Sequence, residues 1–176
     1  MTFQNQPIEE IILSNNRRGI SLLKNFLENR YCERAALRVL NNPGRVIITT
    51  GFFILAAKAP ETDGPPGAVI IGKAMESIGF KVTYVTDLYC SDILKSLAGP
   101  EAEVINFPIE GHGSSKKHAE ELINRINPTV TISVERCGLD KSGRYLNMHN
   151  PNLFYFWHIW KQQPVLKNHP PFYQLS

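Results

Sequence analysis

The sequence predicts an α/β protein with a doubly wound, mostly parallel, Rossmann-like sheet. Three observations carry this prediction. Short runs rich in Val, Ile, Thr and Tyr alternate with runs whose apolar residues recur at helical spacing. Gly or Pro punctuates most junctions, as at Gly79, Gly99-Pro100 and Pro128. The first strand candidate also leads through a Gly- and Pro-rich loop into a helix, which is the connection that places ligands in such folds.

Taken in order, Pro7 to Ser14 reads as a short helix with Ile8, Ile11 and Ile12 on one face. A longer helix is expected from Ile20, carrying Leu22, Leu23, Phe26 and Leu27 and then Ala35, Ala36, Val39 and Leu40, with a break near Arg30-Tyr31. Asn41-Asn42-Pro43-Gly44 stops it. Strands are expected at 45–50, 81–86, 102–107 and 129–134, and helices at 68–78, 91–97 and 116–126. If three strands add outward and the fourth returns beside the first, the sheet order is 3-2-1-4. The switch point then falls between strands one and four, and ligands favour the crevice at the carboxyl ends there. The organisation expected is a helical lead-in over 1–44, an incomplete α/β domain over 45–150 and an irregular tail over 151–176. That tail combines an aromatic run from Phe154 to Trp160 with Pro164, Pro170 and Pro171, and is expected to pack poorly.

Composition narrows the function. With 19 basic and 16 acidic residues the charge is only +3, and no basic block exceeds a pair, which argues against a nucleic-acid partner. No apolar run reaches membrane-span length, so no membrane partner is expected. Three cysteines without metal-ligand spacing fit a reducing, intracellular compartment. The first fifteen residues carry Glu9 and Glu10 and no Arg, unlike a transit or secretory signal, which fits a cytosolic protein. Neither G-x-G-x-x-G nor the P-loop pattern occurs.

The loop Pro60-Glu61-Thr62-Asp63-Gly64-Pro65-Pro66-Gly67-Ala68 is the central feature. Gly64 and Gly67 permit unusual backbone, and the free N–H groups of the helix that follows form an expected anion-binding corner. Thr62 and Asp63 either cap that helix or face a ligand. Glu135 and Arg136, at the end of strand four, would line the same crevice, either as an ion pair closing the strand or as an acid beside an anion clamp. A turn at Lys141-Ser142-Gly143 would bring Arg144 and Asn147 over it. Asp87 ends strand two and reads as the start of a turn. His112 and His118 read as solvated, and Cys137 as a bystander.

Together Thr50-Gly51-Phe52, the E-T-D-G-P-P-G-A string, Val85-Thr86-Asp87, Ile132-Ser133-Val134-Glu135-Arg136 and Gly143-Arg144-Tyr145-Leu146-Asn147-Met148 resemble the carboxy-terminal domain of the D-glutamate cyclase family. The resemblance runs from about Ile8 to Asn150. It implies a lyase that reversibly dehydrates D-glutamate to 5-oxo-D-proline, and, from the vertebrate members, a mitochondrial location. Those members carry a separate amino-terminal domain and continue past the N-M block with further α/β structure. The chain therefore reads as a truncated or alternatively spliced form of such a protein.

In that chemistry Asp63, Glu135 or Glu61 would accept the amine proton. Thr50, Gly51, Thr62, Gly64 and Gly67 would contact a dicarboxylate or 5-oxoproline, with Arg136 or Arg144 as a bidentate clamp and Asn147 beside it. A divalent cation, Mn or Mg, could bind where Glu61, Asp63 and Glu135 converge. Two other readings stand beside it: a non-catalytic small-anion or nucleotide-binding module, and an interaction fragment working through Phe154 to Trp160.

Overall fold

Six residues, Arg45–Thr50, form the strand β1 around which the larger part of the chain is built. The computed structural model describes residues 7–14, 20–54, 56–136 and 173–174. Two compact units divide at Asn42–Pro43.

In the second unit β1 is followed by a two-stranded hairpin, β2 (Phe53–Ile54) and β3 (Ala59–Pro60), and by helix α3 (Gly64–Ser77). Strand β4 (Lys81–Thr86), helix α4 (Ser91–Ala98), strand β5 (Glu103–Asn106), helix α5 (His112–Ile126) and strand β6 (Val130–Val134) complete the alternation. A two-residue strand, β7 (Tyr173–Gln174), pairs with the outer edge of β6. The sheet order is β5-β4-β1-β6-β7 and every pairing in it is parallel. The first four strands thus take the expected order, with β1 internal and the switch point between β1 and β6.

A central strand covered on both faces must be apolar or self-satisfied at every position, and Val46 to Thr50 are all buried. Register assigns the faces. Ile47 lies beside Thr83, and Thr49 beside Val85. Ile47 and Val85 join Phe107, Ala119 and Ile126 in one core cluster, which places α5 on that face. Ile48 lies beside Tyr84 on the other face. There the Tyr84 hydroxyl lies 1.9 Å from where a Cβ on Gly72 of α3 would stand. Helices on both faces make the sheet doubly wound.

Two helices start earlier than their periodicity suggests. α3 absorbs Gly64, Pro65 and Pro66 into its first turn, where the missing N–H of proline costs no helical bond. α5 absorbs His112 to Ser115 because Gly111 serves as N-cap and the Ser115 N–H bonds the Gly111 carbonyl at 3.0 Å. α5 ends at Asn127, which takes the left-handed conformation and bonds the Ile123 carbonyl before Pro128 redirects the chain into β6.

The first unit holds α1 (Ile8–Leu13), a 3₁₀ segment over Ile20–Phe26, and α2 (Tyr31–Leu40). The break expected near Arg30-Tyr31 is present, and it divides the run from Ile20 into a 3₁₀ piece and α2. Arg30 takes φ of 57° between them, which no α-helix tolerates in its interior. The Cys32 N–H donates to Glu9 Oε1 at 3.0 Å, and Lys24 pairs with Glu10. No residue of α2 is buried. Within the tail expected over 151–176, all but Tyr173 and Gln174 lies outside the described residues.

Candidate functional site

The carboxyl ends of β1, β4 and β6 meet the head of α3 in one corner. After Thr50 the chain turns at Gly51, whose φ is +116°. A Cβ there would stand 2.9 Å from Thr86 Oγ1 and 3.1 Å from Arg136 Nη1, so both conformation and space demand glycine. The loop that follows is not irregular. The Glu61 N–H donates to the Phe52 carbonyl at 2.6 Å and closes the base of the β2–β3 hairpin. The Phe53 ring packs on Tyr89, centroids 4.5 Å apart, and so ties the hairpin to the turn after β4.

Beyond β6 two consecutive residues take opposite roles. Arg136 is buried, and its Nη1 donates to the Thr50 carbonyl at 2.7 Å. The same nitrogen lies 3.3 Å from the Gly51 carbonyl and 3.3 Å from Asp87 Oδ2. Asp87 is equally buried, and its Oδ1 accepts the Tyr89 N–H at 3.0 Å. One guanidinium nitrogen therefore joins the ends of β1 and β4 from the end of β6. Glu135, immediately before it, is exposed and has φ of 46°, an uncommon conformation for a residue with a Cβ.

Glu135 lies against α3. A Cβ on Gly64 would meet Glu135 Cβ at 2.9 Å and Thr50 Oγ1 at 2.8 Å, so the helix head approaches the two strand ends as closely as glycine allows. The Thr50 hydroxyl is buried without a hydrogen-bond partner among the described residues. Asp63, next in the chain to Gly64, is exposed. It caps α3 through its backbone, not its side chain: its carbonyl accepts the Gly67 N–H at 3.2 Å, and its carboxylate makes no capping bond. The side-chain cap weighed for Asp63 is thereby corrected.

The same geometry corrects the anion-binding corner. Pro65 and Pro66 have no N–H to offer, and that of Gly67 is already spent on Asp63. Of residues 64 to 67, only Gly64 keeps a donor not committed among the described residues. Among the described residues the corner also carries two exposed acids, Asp63 and Glu135.

Of the residues expected to share the crevice, the structure brings Thr50, Gly51, Gly64, Glu135 and Arg136 into contact. Asp63 is held beside them by sequence. Gly67 packs on Val134, where a Cβ would find Cγ1 at 3.4 Å. Thr62 is exposed, and Glu61 is half-buried at the base of the hairpin. Arg136 pairs with Asp87, not with its neighbour Glu135, so the ion pair weighed for that dipeptide is corrected. Arg144, Asn147, Cys137 and the turn at 141–143 lie outside the described residues. Among the described residues no three His, Cys, Asp or Glu side chains gather closely enough to hold a metal ion, Glu61, Asp63 and Glu135 included.

Sequence reasoning placed Asp87 in a turn but missed its buried pairing with Arg136. Only the sheet order reveals that residues 49 positions apart meet. Burial pushes the nearby Cys90 thiol up from its ordinary value, an effect opposed by a hydrogen bond with Thr86. His118, expected on an open helix surface, is half-buried, with Nδ1 3.3 Å from Glu110 Oε2. It borders a separate cleft of about 370 Å³ at the β5 edge, with Phe107, Leu122 and Arg125.

A family model described as D-glutamate cyclase-like, C-terminal, matches residues 8–156. The chain belongs to this family. A comparison with curated proteins finds no match. The match to the D-glutamate cyclase-like domain spans both strand ends, the hairpin and the head of α3, so every residue of the corner belongs to the family region. It also extends over Arg144 and Asn147.

Proposed function

We propose that this D-glutamate cyclase-like chain interconverts D-glutamate and 5-oxo-D-proline at the corner formed by β1, β6 and α3. The ammonium group of D-glutamate gives up two protons, its nitrogen attacks the γ-carboxyl carbon, and one γ-oxygen leaves with those protons as water. The reaction is intramolecular, so the site needs only to fold the substrate and move protons. Glu135 is assigned the base that takes a proton from the amine and returns it to the leaving oxygen. Asp63 stands beside it as the second acid. Arg144 is assigned the clamp on the α-carboxylate from its place in the family motif, because Arg136 has its Nη1 turned to the strand ends.

The single observation that carries this reading is the placement of Glu135, held in a left-handed conformation at the switch point with its side chain against Gly64. Strained non-glycine backbone concentrates where geometry serves chemistry. A purely anion-binding module is less well supported, since the head of α3 has lost most of its N–H donors to proline and to Asp63. The test is proton NMR of the protein with D-glutamate, L-glutamate or 5-oxo-D-proline, with Mn²⁺ or Mg²⁺ and with a chelator. Interconversion of the two D-compounds is expected. Absence of interconversion in every arm would overturn the assignment.

A further inference from the structure

We infer that Arg136 and Asp87 are positioning residues whose buried pair forces Glu135 into its left-handed conformation and aims its carboxylate at the crevice. The functional half of this inference rests on the reading of Glu135 as the base; the conformational half does not. Residues along a strand alternate faces, so a chain leaving β6 straight would not carry Arg136 under the ends of β1 and β4. Arg136 is nevertheless drawn there by three acceptors: the Thr50 carbonyl at 2.7 Å, the Gly51 carbonyl at 3.3 Å and Asp87 Oδ2 at 3.3 Å. The turn needed to reach them falls on Glu135, at φ 46°. Asp87 cannot swing away to release the arginine, because its other oxygen is held by the Tyr89 N–H at 3.0 Å. Gly51 completes the arrangement, since any side chain there would enter the space of Arg136 Nη1. On the opposite side Gly64 leaves room for Glu135 Cβ. Two glycines thus clear the space in which one residue is anchored and the one before it is presented.

The inference predicts a thermodynamic cycle that needs no turnover. Glu135→Gly relieves left-handed strain, so in the otherwise native protein it should raise Tm by about 2–4 °C, the strain relieved less the added freedom of an unfolded glycine. In an Arg136→Lys background, where a single ammonium cannot bridge all three acceptors, the gain should vanish or reverse. Should Arg136→Lys not fold, Asp87→Asn serves as the second background, with the same expectation. An equal gain in native and variant backgrounds, or a loss in the native one, would overturn the inference. Activity gives the second reading. Arg136→Lys should lower kcat about tenfold or more with less effect on KM, and should lower it no further once Glu135→Gln is present. Multiplicative losses in the double variant would overturn the claim that Arg136 acts through Glu135. Failure of the D-glutamate chemistry itself would show as inactivity of the native protein while the thermal cycle still held.

Discussion

Gly64 and Gly67 lie three residues apart in the first turn of α3, and the structure predicts opposite consequences for the same substitution. A methyl group on Gly64 would stand 2.8 Å from Thr50 Oγ1 and 2.9 Å from Glu135 Cβ. Neither atom is the free end of a flexible side chain: Thr50 is fully buried in the central strand, and Glu135 Cβ is fixed by its backbone. Overpacking of this kind costs about 1–3 kcal/mol. The helical preference of alanine over glycine offsets less than about 1 kcal/mol of that. The net loss of about 1–2 kcal/mol corresponds to a fall in Tm of about 2–8 °C for a chain of this size. At Gly67 the nearest atom is Val134 Cγ1 at 3.4 Å, ordinary van der Waals contact. Gly67→Ala should therefore leave Tm unchanged or raise it slightly, by about 0.5–1 kcal/mol of stability. Thermal unfolding by circular dichroism on the two variants, with urea midpoints as a check, decides the matter. If Gly64→Ala proved as stable as Gly67→Ala, α3 would not approach the ends of β1 and β6 as described, and the corner would lose its geometry.

Two further outcomes follow from the packing beneath the site. Gly72→Ala drives a methyl group into the Tyr84 ring, with the hydroxyl at 1.9 Å and Cζ at 2.6 Å, and Tyr84 has no room to withdraw at 1% exposure. A loss of about 3 kcal/mol is expected, read from the urea midpoint, and Tyr84→Phe should recover part of it by removing the clashing oxygen. Burial raises the Tyr84 hydroxyl above its ordinary value, and Glu76 adds to the effect. A raised folded value favours the protonated form, so its contribution is whole below the ordinary tyrosine value near 10 and is lost as pH climbs through the folded one. Stability measured between pH 8 and 11 should therefore fall more steeply in the native protein than in Tyr84→Phe; parallel curves would remove Tyr84 as the cause.

Much of the second unit is legible in the sequence because its strands are buried on both faces and read as short apolar runs. β1 and β4 fall where Val46-Ile47-Ile48 and Val82-Thr83-Tyr84-Val85 place them. Their parallel direction follows from β/α alternation, and their order from the return of the fourth strand beside the first. Helix starts are less legible. Pro65, Pro66 and Gly113 are breakers by composition, yet first turns have no N–H bonds for them to break. The β2–β3 hairpin escapes notice because each strand has two residues, too few for any period to show. At the site, Glu135 and Arg136 are conspicuous as adjacent charges. That one is buried and the other presented depends on Asp87 and Gly51, which only the assembled sheet brings near. In the first unit the left-handed Arg30 carries no compositional signal beyond the local break in periodicity.

The central claim is that Glu135, presented at the switch point, moves the proton in the interconversion of D-glutamate and 5-oxo-D-proline. The most direct measurement compares the native protein with Glu135→Gln, which keeps shape and removes the base, in the same proton NMR assay at a temperature where both are folded. Turnover by the native protein and a loss of about 10²–10⁴-fold in Glu135→Gln, with unfolding curves that superimpose, is the predicted result. Equal turnover by the two proteins would contradict the account.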